Sequence, residues 1–386
     1  MSLLTNKIQT IMAGTNQLVC VDDFEKKAEQ LLPKFAFDYY AGGADDQQTL
    51  QDNKEAFTRF RLRPRLMRDV SNRDMSTTIL GHHLPHPIAI GPSAFHKMAH
   101  PDGEIATVKG AAMTSTPMCV GGSGSNVTLE DLAEAVKEST TPLWIQFYIY
   151  RDRQINERLI KRAEKAGYKA LFVTVDLPYQ GKRRLDIRNQ FNLPSNLGFA
   201  NIAGELESQQ LYTKGKGSGI ENFINTQFDP SVTWEDIKWL RSITRLPIVL
   251  KGILTAEDAK EAVKYGVNGI LVSNHGGRQL DGVLATIDAL SEVVEAVRGS
   301  SVEVYLDGGV RKGTDILKAL ALGAKAVFVA RPVIWGLACD GQEGVKKVLD
   351  ILKDEFGLAM ALSGCTTIED ISRDILQRQS QYTSRL

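Results

Sequence analysis

Eight short apolar runs, spread from residue 87 to residue 330, constrain this chain more than any other feature of its sequence. They are Pro87–Ala94, Pro117–Gly122, Leu143–Ile149, Ala170–Asp176, Leu246–Lys251, Gly269–Ser273, Val302–Leu306 and Ala326–Ala330. Each is near-continuously apolar, the pattern of a strand buried on both faces. Between most of them lie Ala-, Glu- and Lys-rich stretches of helical period, such as Leu129–Lys137, Asn156–Ala166, Ala256–Tyr265 and Thr314–Leu322. Strands alternating with helices in this way predict a parallel (β/α)8 TIM barrel of the α/β class. An open doubly wound sheet would normally carry GxGxxG after its first strand, and none follows Pro87–Ala94.

The flanks read differently. Residues 1–85 form an N-terminal helical segment and connector packing on the barrel, residues 86–370 the barrel, and residues 371–386 a C-terminal tail. Helical spacing of Phe24, Ala28, Leu31 and Phe35 predicts one helix over Val21–Tyr40, stopped by Ala41-Gly42-Gly43. The basic run Arg59–Arg65 reads as an extended connector with solvated arginines. One connection is anomalously long: from Asp176 to Leu246 the chain is rich in Gly, Asn, Ser and Gln, including Lys214–Gly219. It leaves the end of strand four, on the face where barrel enzymes work, so 180–235 is expected to be a lid-like loop.

Composition narrows the partners. Lys plus Arg is 46 and Asp plus Glu is 46, a net charge of zero, so the chain has no overall electrostatic footprint for nucleic acid or an anionic membrane. No apolar run reaches membrane-spanning length, and Met1–Thr10 lacks the apolar core of a signal peptide. Cys20, Cys119, Cys339 and Cys365 lie far apart with no CxxC pair, which argues against a zinc site or a disulfide framework, and no metal is expected.

Chemistry is expected where polar residues end apolar strands. Those residues are Ser93, Gln146, Tyr148, Thr174, Asp176, Lys251, Ser273, Asn274, His275, Arg278, Asp307, Arg311 and Arg331. Asp307-Gly308-Gly309-Val310-Arg311 after strand seven and Ala330-Arg331-Pro332 after strand eight fall where barrels bind phosphate, with glycine letting the backbone approach the anion. His275 is the only one of six histidines beyond residue 100. At a strand end it is placed to accept a proton at neutral pH, with Asp176 as a partner for the imidazolium. Arg278, three residues on, offers a fork for a carboxylate, and Arg183 a second. The residues thus point to proton abstraction from an anionic substrate. His82, His83 and His86 precede strand one, at the opposite face, and are expected in a turn. The sequon Asn126-Val127-Thr128 is taken as a chance match.

The string Ser273-Asn274-His275-Gly276-Gly277-Arg278-Gln279 closely resembles the signature of the FMN-dependent 2-hydroxy acid oxidases and dehydrogenases, which include glycolate oxidase and lactate oxidase. The resemblance runs nearly end to end, through Phe37–Asp46, Gly91–Glu104, Trp144–Arg153, Thr174–Pro178, Val249–Ala259 and Leu306–Ala324. It implies oxidation of an (S)-2-hydroxy acid to the 2-oxo acid, with O2 as acceptor and H2O2 as product. Passing electrons to a quinone or cytochrome, or binding flavin without catalysis, are the alternatives. It further implies Lys251 beside the flavin N1/C2 carbonyl and His275 as the base with Asp176 as partner. Arg278, Arg183 and Tyr39 would hold the carboxylate, with Tyr148 on the substrate oxygen. Pro92, Ser93, Ala94, Gln146, Thr174 and Ser273 would contact the flavin ring or ribityl chain, and Asp307, Gly309, Arg311 and Arg331 the ribityl-phosphate end. A homotetramer is also implied.

The chain departs from that family in three places. Gly121–Ser125 carries one extra residue and lacks the aromatic expected over the substrate, Phe95 is bulkier than expected beside the flavin, and Ala330 replaces a glycine. The missing wall predicts that longer or aromatic hydroxy acids are accepted. Ser384-Arg385-Leu386 at the C-terminus is a conservative variant of the Ser-Lys-Leu peroxisomal address, with the cytoplasm as the default without it.

Overall fold

The computed structural model describes residues 17–202 and 218–379. Eight parallel strands close into a barrel: β1 (Ile88–Ile90), β2 (Met118–Gly121), β3 (Leu143–Phe147), β4 (Leu171–Thr174), β5 (Ile248–Ile253), β6 (Gly269–Val272), β7 (Glu303–Leu306) and β8 (Ala326–Val329). Every strand pairs with its neighbours in sequence, and β8 closes on β1 through Val327–Ile88 and Phe328–Ala89. Most strands are shorter than the apolar runs, because residues such as Pro92–Ala94 leave the ladder at the strand tips and face a cavity instead, whereas β5 keeps six residues and runs on to Ile253.

Alternation along the strands divides the core in two. Ala89, Cys119, Trp144, Phe172, Val249, Leu271, Tyr305 and Phe328 point into the barrel and fill it. The alternate residues, among them Ile145, Val173, Leu250, Ile270 and Val327, point outward and pack beneath the helices. Side-chain caps start several of those helices, as Thr128 does for Leu129–Ala135 and Thr255 for Ala256–Lys264. The closed end is plugged by Ile79 and Leu84 of a hairpin, Thr77–Ile79 with His82–Leu84, which carries His82 and His83. His86 is buried beside it, its Nε2 3.0 Å from the Thr114 carbonyl.

Two expectations about the N-terminal region are corrected. The single helix over Val21–Tyr40 is two, Val21–Leu31 and Lys34–Ala41, broken where Leu32 is extended ahead of Pro33. Proline lacks the N–H that a continuous helix requires and forces extended backbone on the residue before it. The arginine run is likewise only partly a solvated connector. Arg59 is ion-paired with Asp52 and Asp288. Phe60–Leu62 forms an antiparallel pair with Leu376–Arg378, so the first part of the C-terminal tail is built into the fold.

The described parts of the long connection are compact. They contain the helices Arg184–Arg188 and Gly219–Gln227, and bury Phe191, Leu193, Phe199, Ile202 and Phe223. Lys214–Gly217 lies outside the described residues, as does Ser384–Leu386.

Candidate active site

Moving two residues along a barrel strand keeps a side chain on the inner face. On β3 that step leads from Trp144 to Gln146 and on to Tyr148; past β4, from Phe172 to Thr174 and Asp176; on β5, from Val249 to Lys251. Past β6 it leads from Leu271 to Ser273 and His275, and past β7 from Tyr305 to Asp307. Packing therefore gives way to chemistry within one turn of the pleat. One cavity at this end is lined by Tyr39, Pro92, Ser93, Ala94, Gln146, Tyr148, Thr174, Arg183, Lys251, His275, Arg278, Asp307, Gly309, Arg311 and Arg331. Asp176 and Ser273 do not line it. They stand one layer behind, holding His275 and Lys251.

Lys251 is nearly fully buried, its Nζ 3.0 Å from Ser273 Oγ, 3.9 Å from Asp307 Oδ2 and 4.0 Å from Asp176 Oδ2. Burial raises the Asp307 carboxyl, with Lys251 pulling the other way. His275 adopts a left-handed backbone at φ 58°, with its N–H donating to Ser273 Oγ (3.1 Å). Its Nδ1 is 2.7 Å from Asp176 Oδ1. A carboxylate acceptor there assigns the proton to Nδ1, leaving Nε2 with its lone pair. Burial first, then Lys251 and Arg183, holds the imidazole below its ordinary range, with Asp176 opposing. The neutral ring is thus the resting form.

The cavity is short of negative charge. Lys54, Arg183, Lys251, Arg278, Arg311 and Arg331 line it, against Asp307 as the single lining carboxylate among the described residues. Burial and the neighbouring Arg278 push Arg183 down to about 10, and burial with Arg278 and Arg311 pushes Arg331 down to about 9. Behind them, Glu25 accepts from Arg311 (2.7 Å), with Lys54 3.5 Å away. The helix Lys34–Ala41 supplies the remaining compensation through carbonyls that its C-terminus leaves unpaired. Arg278 Nη1 donates to Tyr39 O (2.5 Å) and Gly42 O (3.1 Å), and its guanidinium lies over the Tyr39 ring. Arg331 donates to Tyr40 O (2.8 Å), Gly42 O (2.9 Å) and Gly276 O (2.9 Å).

Two groups of cations imply two anion sites. Arg311 and Arg331 flank the turn Asp307-Gly308-Gly309, in which both glycines have φ 84°. A Cβ on Gly309 would stand 1.9 Å from the Asn53 carbonyl oxygen, so the helix Gln48–Glu55 presses directly on this turn. Asn53 also exchanges hydrogen bonds with Asn274 (2.8 Å each), tying the loops after β6 and β7 together. Asp307 Oδ1 is buried without a protein partner among the described residues, an arrangement that is costly unless a ligand hydroxyl fills it. Gln146 Nε2 donates to Thr174 Oγ1 (2.8 Å), a polar edge beside Lys251. A phosphate site, an acceptor for hydroxyls and a polar edge with a cation match the parts of FMN. The second group, Arg183 and Arg278 with Tyr39 and Tyr148, lies near His275 and suits a small carboxylate.

The missing aromatic over the site is made good from elsewhere. The ring of Phe95 reaches to 4.0 Å from where a Cβ on Gly124 would lie, filling the space at Gly121–Ser125. Its backbone is left-handed (φ 59°), fixed by its N–H to Gly124 O (2.7 Å) and by Tyr40 Oη donating to its carbonyl (2.6 Å). Phe199 meets it edge-on at 5.2 Å and packs on Phe223, while Phe228 stacks on Tyr148 at 4.4 Å. The expected opening is therefore an aromatic ceiling, drawn largely from the long connection. Phe95 stands out in the sequence as a departure from the family pattern, whereas Asn53, Glu25, Phe199, Phe223 and Phe228 carry no strand-end or motif signal.

Residues 28–378 match the family described as FMN-dependent dehydrogenase. Human 2-hydroxyacid oxidase 1 is 52% identical over 371 residues, covering 96% of this chain and 99% of that protein. A peroxisomal (S)-2-hydroxyacid oxidase of Arabidopsis thaliana is 50% identical over 366 residues, covering 95% and 98%. Among solved structures, mandelate oxidase with (S)-4-hydroxymandelic acid aligns with a TM-score of 0.88 at 40% identity, over 93% of this chain and 98% of that one.

Gly309→Ala tests the phosphate turn. The added methyl must displace the Asn53 carbonyl and adopt a conformation that L-residues disfavour by roughly 1–2 kcal/mol. The variant should purify with little flavin and a lowered Tm; a fully loaded, equally stable variant would contradict the contact.

Proposed function

The chain belongs to the FMN-dependent dehydrogenase family and oxidises 2-hydroxy acids with FMN as its cofactor; we propose that it acts as an (S)-2-hydroxy acid oxidase, with His275 as base and Arg183 and Arg278 as the carboxylate clamp. The observation that carries the assignment is the His275–Asp176 pair at 2.7 Å beside Arg183 and Arg278, two cavity-lining arginines that form no ion pair among the described residues. Bound FMN would supply the two-electron redox chemistry, with O2 as the final acceptor. Arg183 and Arg278 hold the substrate carboxylate, with Tyr39 shaping the Arg278 side of the clamp. Tyr148, its hydroxyl kept protonated by burial, donates to the substrate oxygen. His275 Nε2 takes the hydroxyl or α-carbon proton, and Asp176 stabilises the imidazolium that results. Lys251 lines the cavity as a buried positive charge that would stabilise negative charge on the cofactor. Pro92, Ser93, Ala94, Gln146 and Thr174 hold the ring and ribityl chain, and Asp307, Gly309, Arg311 and Arg331 the ribityl-phosphate end. Ser273 acts through Lys251 and His275 rather than by direct contact. Assembly as a homotetramer accords with the family resemblance.

The rings of Phe199, Phe223 and Phe228 favour substrates with an apolar or aromatic side chain, and Phe95, reaching into the same space, limits its size. Mandelate oxidase, crystallised with an aromatic hydroxy acid, is a structural neighbour. Location in peroxisomes is supported by the named Arabidopsis relative and by the terminal Ser384-Arg385-Leu386.

His275→Gln should keep FMN and lose about 100-fold to 10,000-fold in turnover; activity within a few-fold of the parent would remove His275 from the mechanism. Because burial depresses its pKa, His275 is neutral and competent throughout the range above that value and is lost as a base only as pH falls through it. The acid limb of kcat/KM should therefore have its midpoint below 6.5, the ordinary imidazole value, and a midpoint at or above it would refute this.

Phe95→Ala should raise kcat/KM for mandelate or 2-hydroxyoctanoate relative to glycolate by about tenfold or more, the scale on which an apolar pocket discriminates. An unchanged ratio, measured by peroxide release, would remove Phe95 from substrate selection. Deleting Ser384–Leu386 from a fluorescently tagged chain in eukaryotic cells should shift it from puncta to cytosol. Persistence of puncta would refute the targeting role.

A further inference from the structure

A second cavity, of about 450 Å³, adjoins the active site. It lies on the outer side of β4 and β5, beneath the helix Trp234–Ile243, and is lined by Ile149, Val175, Val232, Ile237, Leu250 and Ile253 among others. At its inner end Tyr148, Thr174, Leu177 and Phe228 line both cavities. At its outer end Pro178, Thr233 and Asp258 are exposed. The chamber therefore leads from solvent to the wall of the site along the outer side of the barrel.

Its inner shape depends on an irregularity in β5. The ladder with β6 shifts between Lys251 and Ile253, and the intervening Gly252 has φ 116°. A Cβ there would lie 2.6 Å from that of Asp176. The bulge therefore admits no side chain at 252: Asp176 packs directly against the Gly252 backbone, which lines the chamber, while Lys251 turns inward.

The two cavities also differ in charge. Among the described residues, six cations line the first, whereas no Lys, Arg or His lines the second. Its charged lining residues are Asp229, paired with Arg153 at 2.7 Å, and Asp258 at the rim. A hydroxy acid anion finds no partner in such a chamber and is repelled at the rim. A small, neutral, apolar molecule meets neither obstacle, and an oxidase consumes one.

We propose that this chamber admits dioxygen and delivers it to the active site past Tyr148, Thr174 and Phe228, so that the anionic substrate and the gas arrive by different routes. The inference rests on the oxidase reading. Dioxygen there accepts the two electrons removed from the substrate, together with two protons equal in number to those the substrate lost, and leaves as hydrogen peroxide.

Crystals of the FMN-loaded enzyme under xenon pressure provide a test independent of turnover, since xenon occupies apolar cavities. Xenon should appear among Val175, Val232 and Ile237. Val232→Trp, from a connecting segment, and Ile237→Phe, from the helix, each fill the chamber from a different side. In whichever variant folds, xenon should vanish and reoxidation of the reduced enzyme by O2 should slow several-fold, while anaerobic reduction by a 2-hydroxy acid keeps the parental rate. Absence of xenon from the parent's chamber, or parental reoxidation in a filled variant, overturns the chamber's role. A reduced parent enzyme that does not react with O2 at all overturns the oxidase reading, and this proposal with it.

Discussion

Positive charge at the barrel mouth is held by the end of one short helix, and the rest of the site depends on that contact. The last carbonyls of Lys34–Ala41, and those just beyond it, accept hydrogen bonds from both Arg278 and Arg331. A helix C-terminus needs donors, and buried guanidiniums need acceptors, so each meets the other's requirement. Because the acceptors are neutral carbonyls rather than carboxylates, the arginines are oriented without being neutralised. Their charge remains available to anionic ligands. Placing a carboxylate in the same position would have fixed the geometry and cancelled the function.

The same economy separates packing from reactivity along the strands. A two-residue step carries the inner face from Trp144, Phe172, Val249, Leu271 and Tyr305 to Gln146, Thr174, Lys251, Ser273 and Asp307. The apolar layer below is close-packed and excludes water, which strengthens every electrostatic interaction in the layer above. Lys251 keeps its two carboxylates at 3.9 and 4.0 Å rather than in direct contact. That spacing leaves its charge only partly engaged.

Much of this was legible in the sequence because the information is local. Apolar runs mark the barrel strands, and the residues ending them, Gln146 to Arg331, converge as the architecture requires. Contacts set by distant segments were not legible. Asn53 sits on a helix with no special spacing, yet it locks the turn at Gly309. Phe199 and Phe223 come from a connection whose polar composition reads as loop, and only folding back over the barrel makes them a ceiling. The break at Pro33 was written in the sequence and outweighed by the helical spacing around it. Arg59 shows the converse, since a charge run gives no hint that Asp288 awaits one of its members.

The pairing of Phe60–Leu62 with Leu376–Arg378 bears on how the protein is made. During synthesis the N-terminal helices emerge first, with Val21, Phe24, Ala28, Tyr39 and Tyr40 destined for burial. Arg331, which with Arg278 caps the second of these helices, the strand that closes the barrel on Ile88–Ile90 and the strand that pairs with Phe60–Leu62 all leave the ribosome in the final portion of the chain. Contacts of such long sequence separation form late and slowly. The nascent chain thus carries an exposed apolar segment through most of its translation, the condition under which chaperones are recruited and aggregation competes with folding. A stop codon that removes only the last strand would leave every catalytic group encoded, and the strand Phe60–Leu62 without its partner.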